Sequence, residues 1–396
     1  MKQTNFFRLL SIALIVMFFS ANLLADAWSD RGYVQTTTSH KWFQILDPAG
    51  DPITKYITGS TFTFETWFYL DDMSKAKGMF FYINNGMQFG FSPNEARLLF
   101  QNSASGRTVD VWLDYTTLPE FSDLTAGKWI HIALVVDGNN WKVYMDGTER
   151  YNQNLAGGYL ANTTNFLIGG DWWGNFQGKL AETRVWNSAR TASEIADNRR
   201  KILPIATPTL IGRINFGEGS GESSQNFCSV GGNAWASAGG ASVSWGLVSK
   251  TPSNLQPSSI TSTGFNLTWD GGPETKYEVV LRTKGSTSDW TYIPDASKPY
   301  LAEGLTAGSA YDVKVKSTHP LETDYSAAVE VSLITSTIDV QESLGLVLTT
   351  NPSNWQIESK NTQAIRALVY NLSGSTVGEF SNQNKLIIDK SNFNNG

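Results

Sequence analysis

The residues best suited to binding form the run Gly169-Gly170-Asp171-Trp172-Trp173-Gly174-Asn175-Phe176. On an extended chain neighbouring side chains point opposite ways, so only one of Trp172 and Trp173 can face a core. The other is then an exposed indole, an apolar plate with a polar edge, suited to stacking on sugar rings. Asp171 and Asn175 supply hydrogen-bonding groups for hydroxyls. The alternative, in which both rings close the rim of the fold, weighs the same. Tyr82, Met87-Gln88-Phe89, Trp112 and Tyr115 can extend such a platform, although core packing alone accounts for them.

Catalytic chemistry is harder to assemble. Glycoside hydrolysis needs two carboxylates flanking the bond, about 5–5.5 Å apart for retention. Glu65 and Glu182 each stand as single acids on their strands. Asp110 and Asp114 share a strand face but lie roughly 13 Å apart by strand rise. His40, His131 and His319 are the only histidines. His131 sits inside an apolar strand, where a satisfied core histidine is expected. No Gly-x-Ser-x-Gly elbow and no zinc-ligand spacing occurs. No catalytic residue is therefore assigned.

The 396 residues suggest two or three domains. Many aromatic residues together with 35 glycines suit all-β folding. A net charge of −6 without a basic run speaks against nucleic acid as a partner. Residues 1–27 read as a signal peptide: Lys2 and Arg8, the apolar run Leu9 to Phe19, then Ala25-Asp26-Ala27. The mature chain then begins near Trp28, extracellular or on the outer cell surface. Cys228 is the sole cysteine, so no internal disulfide forms and a buried thiol is expected.

The elements that must hold these residues are strands. Gly127 to Gly147 reads as a hairpin. Trp129, His131, Ala133 and Val135 take one face; Ile130, Ile132, Leu134 and Val136 take the other. Asp137-Gly138-Asn139-Asn140 turns the chain, and the return strand ends at Asp146-Gly147. A strand apolar on both faces belongs inside a covered sheet. Further strands at Thr61 to Leu70, Gly78 to Ile83, Met87 to Phe91, Arg97 to Asn102 and Arg107 to Tyr115 predict a sandwich. A helix is expected over Ser193 to Lys201, with Thr191 and Glu194 as a capping box and Arg199, Arg200 and Lys201 at its C-terminal end. The glycine-rich stretch 210–247 supplies the last strands of this sandwich, or else is a remnant of another repeat.

Three motifs carry a resemblance: the Gly127 to Gly147 hairpin, the strand Phe62 to Tyr69, and the closing run Leu167 to Arg190 with Thr191 to Ile195. Together they resemble the laminin G-like, concanavalin A-like domains. That resemblance implies a jelly-roll sandwich over 28–247. It also implies Ca2+ as a possible ligand, for which Asp71, Asp72, Asp137 and Asp171 are the loop candidates, although no dense Asp-x-Asp loop joins them. Calcium takes roughly six to eight oxygens.

Residues 248–335 resemble a fibronectin type III domain. Trp269 and Tyr277 match its core aromatics, and Leu305 and Tyr311 match its tyrosine corner. Such a domain is expected to act as a spacer. Residues 336–396 resemble the C-terminal sorting tail of the type IX secretion system of Bacteroidetes, through Asn351-Pro352, Ile365 to Tyr370, Asn371-Leu372-Ser373-Gly374 and Leu386 to Asp389. This implies a small β-sandwich, incomplete at Gly396, that engages secretion machinery. The expectation is an all-β, non-catalytic binding protein whose partner is a glycan or an extracellular protein. A weaker alternative is a polysaccharide hydrolase or lyase.

Overall fold

The computed structural model describes residues 30–36, 42–83, 86–102, 109–155, 164–171, 174–236, 243–273, 276–334, 346–350, 354–359, 365–370, 376–382 and 385–389. The strands of the first domain are β1 (Arg31–Thr36), β2 (Phe43–Leu46), β3 (Thr61–Tyr69), β4 (Gly78–Ile83), β5 (Met87–Phe91) and β6 (Arg97–Asn102). They continue with β7 (Val109–Asp114), β8 (Trp129–Asp137), β9 (Asn140–Met145), β10 (Thr148–Asn154), β11 (Phe166–Ile168), β12 (Gly170–Asp171) and β13 (Gly174–Asn175). β14 (Lys179–Trp186), helix α1 (Ala192–Asn198), β15 (Leu210–Ile214), β16 (Ser223–Gln225), β17 (Asn233–Ala236) and β18 (Val243–Ser249) complete it.

Two eight-stranded sheets stack as a sandwich. The first has the order β10-β9-β8-β3-β14-β1-β18, with β15 also on β14; the second runs β16-β17-β2-β11-β4-β5-β6-β7. Strand alternation fixes which face each residue takes. Phe62, Phe64 and Phe68 of β3 point inward with Ile130, Ile132, Leu134 and Val136 of β8, and meet Phe81, Phe89 and Phe166 of the second sheet in one core. Phe64 and Phe81 have ring centroids 4.5 Å apart. The hairpin read from the sequence is β8-β9; Gly138 takes φ 61° in its turn, where a left-handed backbone is required. Stretch 210–247 does finish this sandwich: β15 pairs with β14, β17 with β2 and β18 with β1. Cys228 is buried, as expected.

The helix carries the expected capping box, but it ends at Asn198. Arg199 to Lys201 therefore lie beyond it. The Arg199 carbonyl accepts from Trp67 Nε1, and the Lys201 carbonyl from Arg31 and Arg184, on the outer face of the first sheet.

The second domain is a sandwich of β19 (Ser253–Ser258), β20 (Phe265–Asp270), β21 (Lys276–Thr283), β22 (Thr291–Ala296), β23 (Tyr300–Ala302), β24 (Ala310–His319) and β25 (Val329–Ser332). Its sheets are β19-β20-β23 and β22-β21-β24-β25. Trp269 and Tyr277 pack edge to face at 4.9 Å, and the Tyr311 hydroxyl accepts the Thr306 N–H at 3.0 Å, the predicted corner. The third unit pairs β26 (Leu346–Thr350), β27 (Asn354–Ser359) and β30 (Lys385–Asp389), with β28 (Ile365–Tyr370) and β29 (Thr376–Asn382) as a second small sheet. The expected signal peptide, Trp28, and Asn351-Pro352 and Asn371 to Gly374 of the tail motif lie outside the described residues. Among the described residues no helix is long and apolar enough to cross a membrane.

Candidate functional site

On β5, Met87, Phe89 and Phe91 fill the core, so Gln88 and Gly90 face out. The same alternation turns Leu99 and Gln101 of β6 outward, and Asp110, Trp112 and Asp114 of β7. Register then aligns one residue per strand. Trp235 pairs with Gln44, Gln44 with Leu167, Leu167 with Tyr82, Tyr82 with Gln88, Gln88 with Gln101 and Gln101 with Asp110. The result is one row across seven strands of the outer face, roughly 29 Å long at ~4.8 Å per strand. A neighbouring row holds Met79, Gly90, Leu99 and Trp112. A Cβ on Gly90 would sit 2.5 Å from the Cα of Met79, so glycine is needed for β4 and β5 to approach there.

The row is wired. The Gln88 amide donates to Oε1 of Gln101, and the Gln101 amide donates to Oδ1 of Asp110. Trp112 Nε1 donates to the same oxygen at 2.6 Å. Gln88 and Gln101 form a buried floor, Tyr82 and Trp112 are half-buried, and Trp235 is 47% exposed. An amide has two donors and two acceptor lone pairs, and the relay uses one donor of each. Aromatic residues beside hydrogen-bonded amides on one sheet face suit a hydroxyl-rich ligand.

The loop singled out from the sequence becomes the two-stranded hairpin β12-β13, in which Gly170 pairs with Asn175 and Asp171 with Gly174. It presses on β4, because a Cβ on Gly78 would lie 2.1 Å from the Asn175 carbonyl oxygen. It therefore borders the same sheet. Trp172 and Trp173 lie outside the described residues. The structure separates the calcium candidates. Asp137 pairs with Thr61 at one end of β3. Asp71 and Asp72 follow the other end, about 27 Å away by strand rise. Asp71 is held by Lys179 at 3.0 Å, and Asp72 caps Ser74 at 2.8 Å. Among the described residues no group of three or more His, Cys, Asp and Glu side chains is arranged to hold a metal ion. Asp137 thus lies too far from Asp71 and Asp72 to share one calcium cage with them.

Sequence spacing also missed a meeting of acids. Glu65 and Glu182 share Arg184, whose Nη1 lies 3.4 Å from Glu65 and whose Nε lies 2.9 Å from Glu182. Glu182 also takes Arg213 Nε at 2.7 Å and Arg31 Nη1 at 2.6 Å. Glu65 takes Trp186 Nε1 at 3.0 Å, and its second oxygen meets His131 Nε2 at 3.1 Å. All four carboxylate oxygens are engaged, and both residues are buried. Glu182 reaches this position from a bulge at φ 40°. Burial pushes both carboxyls up. The hydrogen bond from His131 and the charge of Arg184 reverse this at Glu65, and the charges of Arg213 and Arg31 reverse it at Glu182, leaving both at about 2. The pair is a buried charge cluster on the outer face of the first sheet, with every carboxylate oxygen committed to a protein partner.

Residues 33–196 match the concanavalin A-like lectin/glucanases superfamily, in its laminin G-like form. Residues 250–332 match the fibronectin type III domain. The chain thus carries a concanavalin A-like sandwich followed by a fibronectin type III domain, a pairing that fits a binding or adhesion role. Among solved structures, domain 4 of AbnA, a GH43 extracellular arabinanase from Geobacillus stearothermophilus held with arabinotriose, is similar over 42% of this chain and 86% of its own. Its identity is 17% and its TM-score 0.31. The FN5 domain of Drosophila Lar is similar over 22% of this chain and 100% of its own, at 20% identity and a TM-score of 0.20. Neither likeness carries an argument about ligand. No curated protein matches the chain.

Proposed function

We propose that the protein is a non-catalytic carbohydrate-binding module whose ligand lies along the outer face of the second sheet. The observation that carries this reading is the register row that joins Tyr82 to the Gln88–Gln101–Asp110 relay, with Trp112 fixed by its edge to Asp110. The aromatic rings offer stacking planes, and the relay orients polar groups toward hydroxyls. Hairpin β12-β13, which presses on β4, is a second candidate contact. The protein acts outside the cell or on its outer surface, delivered through its N-terminal signal peptide and its C-terminal sorting tail. N-terminal sequencing of secreted material starting near Trp28 tests that delivery.

The test of binding is a glycan array with the full chain, followed by titration of any hit. Trp112→Ala is expected to abolish binding while the far-ultraviolet spectrum stays unchanged, and Tyr292→Ala on the second domain is expected to leave it intact. Unchanged binding in Trp112→Ala with loss in Trp172→Ala would move the site to the hairpin. Capture of an extracellular protein with no glycan bound would replace the reading with adhesion to protein.

A further inference from the structure

The outer face of the first sheet is not a solvent face. Trp67, Ala181 and Val248 of the sandwich are buried there with Leu321 of the second domain, which is 0% exposed. Backbone bonds stitch the same line. The Glu322 N–H donates to the Arg200 carbonyl at 2.9 Å, and the Leu321 N–H to Ser249 Oγ at 3.3 Å. Only residues 250–252 separate β18 from β19.

Arg31 is the pivot. It is fully buried and reaches three separate parts of the chain. Nη1 holds Glu182 of the sandwich, Nη2 donates to the Lys201 carbonyl at 3.2 Å, and Nε donates to the Glu322 carbonyl of the second domain at 3.1 Å. The cluster it belongs to is unbalanced within the sandwich. Arg31, Arg184 and Arg213 face Glu65 and Glu182, three guanidinium groups against two carboxylates. Uncompensated buried charge is costly. The second domain reaches this cluster through its backbone: the Glu322 carbonyl caps Arg31, while the Glu322 carboxylate lies 3.4 Å from Lys316. Asp324 is exposed at the wall of a cleft of about 740 Å3 that Asp30 and Lys250 also line.

We infer that the two domains form one cooperative folding unit, joined by this cluster, and that the fibronectin-like domain completes the sandwich rather than spacing it from a surface. The loop Leu321 to Asp324 serves as the key: its leucine fills the outer face, the Glu322 carbonyl caps Arg31, and the Glu322 N–H caps the Arg200 carbonyl. The joint holds the two domains in one orientation. The face across β4 to β7 is thereby presented at a fixed angle to whatever follows the second domain.

Native-state hydrogen exchange and calorimetry on the full chain test this. A single transition is expected for both domains, with the slowest amides of β14 and of β24 sharing one protection factor. Leu321→Ala, a change in the second domain, is expected to lower protection of β14 and β3 amides by roughly tenfold or more. Ser249→Ala, which removes the acceptor of the Leu321 N–H and leaves the apolar packing alone, is expected to lower the shared midpoint of both domains together. Two resolved transitions in the unaltered chain, or a Leu321→Ala effect confined to β19–β25, would overturn the inference. If Leu321→Ala fails to fold, Ser249→Ala decides: a shift in the sandwich alone counts against the joint.

Discussion

His131 and Glu65 meet diagonally across β3 and β8. Their strands put Glu65 opposite Ala133 and Trp67 opposite His131, yet His131 Nε2 lies 3.1 Å from the Glu65 carboxylate. The ionised carboxylate accepts, so the ring carries its proton on Nε2. The diagonal places both groups beside Arg184, and a strand that looks uniformly apolar in sequence thereby anchors a charge cluster.

That cluster predicts a steep acid limit. Glu65 and Glu182 titrate at about 2 in the folded chain, against an ordinary value of 4.5. The folded state therefore binds these two protons more weakly than the unfolded state does. The stability they contribute is complete above about pH 4.5 and is lost as pH falls toward 2. Urea midpoints measured from pH 6 to pH 2 are expected to fall across that window. In Glu182→Gln the fall is expected to be shallower, because one of the two linked groups is gone. Equal slopes would count against the assignment.

Glu182→Gln should also be expensive at neutral pH. The amide cannot balance Arg31, Arg184 and Arg213, which all remain buried. Removing one partner of a buried ion pair costs on the order of 3–5 kcal/mol. Chemical denaturation at pH 7 is expected to show a loss of that size. A change under about 1 kcal/mol would mean that water already screens the site.

Much of this architecture can be read locally, and some cannot. The β8-β9 hairpin follows from alternation and one Asp-Gly turn. The capping box of α1 and the corner at Tyr311 each involve residues within six positions of one another. The binding row is different in kind. Each of its strands contributes one residue, and Trp235 meets Gln44 only because the chain returns late to the second sheet. No spacing in the sequence marks such a row. Glu65 and Glu182 read as lone acids for the same reason: Arg184 reaches Glu65, and Arg31 and Arg213 reach Glu182, from far away in the sequence. The end of α1 was misplaced because Arg199 to Lys201 look like charges suited to a helix terminus, whereas the Arg199 carbonyl accepts from Trp67 and the Lys201 carbonyl from Arg31 and Arg184.

Tyr311→Phe isolates the corner of the second domain. It removes the acceptor for the Thr306 N–H and little else, since the ring is buried and stays so. The expected loss is about 1 kcal/mol. If the domains unfold together, the midpoint of the sandwich falls by the same amount, which tryptophan fluorescence and calorimetry can follow in parallel.

The relay separates binding from stability. Gln101→Leu keeps the volume but deletes the donor to Asp110 and the acceptor for Gln88. Gln88 is buried, so its orphaned amide is expected to cost about 1–3 kcal/mol of stability. Trp112→Phe acts the other way. The ring is only half-buried, and the lost indole N–H frees Asp110 from one edge contact. Stability should change by less than about 1 kcal/mol, because surface substitutions away from packed features rarely do more. Affinity for the glycan should nevertheless fall about tenfold, or about 1.4 kcal/mol, because the plate that stacks on the sugar is smaller and no longer pinned. Calorimetric titration of the two variants side by side is the decisive measurement. Equal affinity in Trp112→Phe and the unaltered chain would remove the outer face of the second sheet from the binding account.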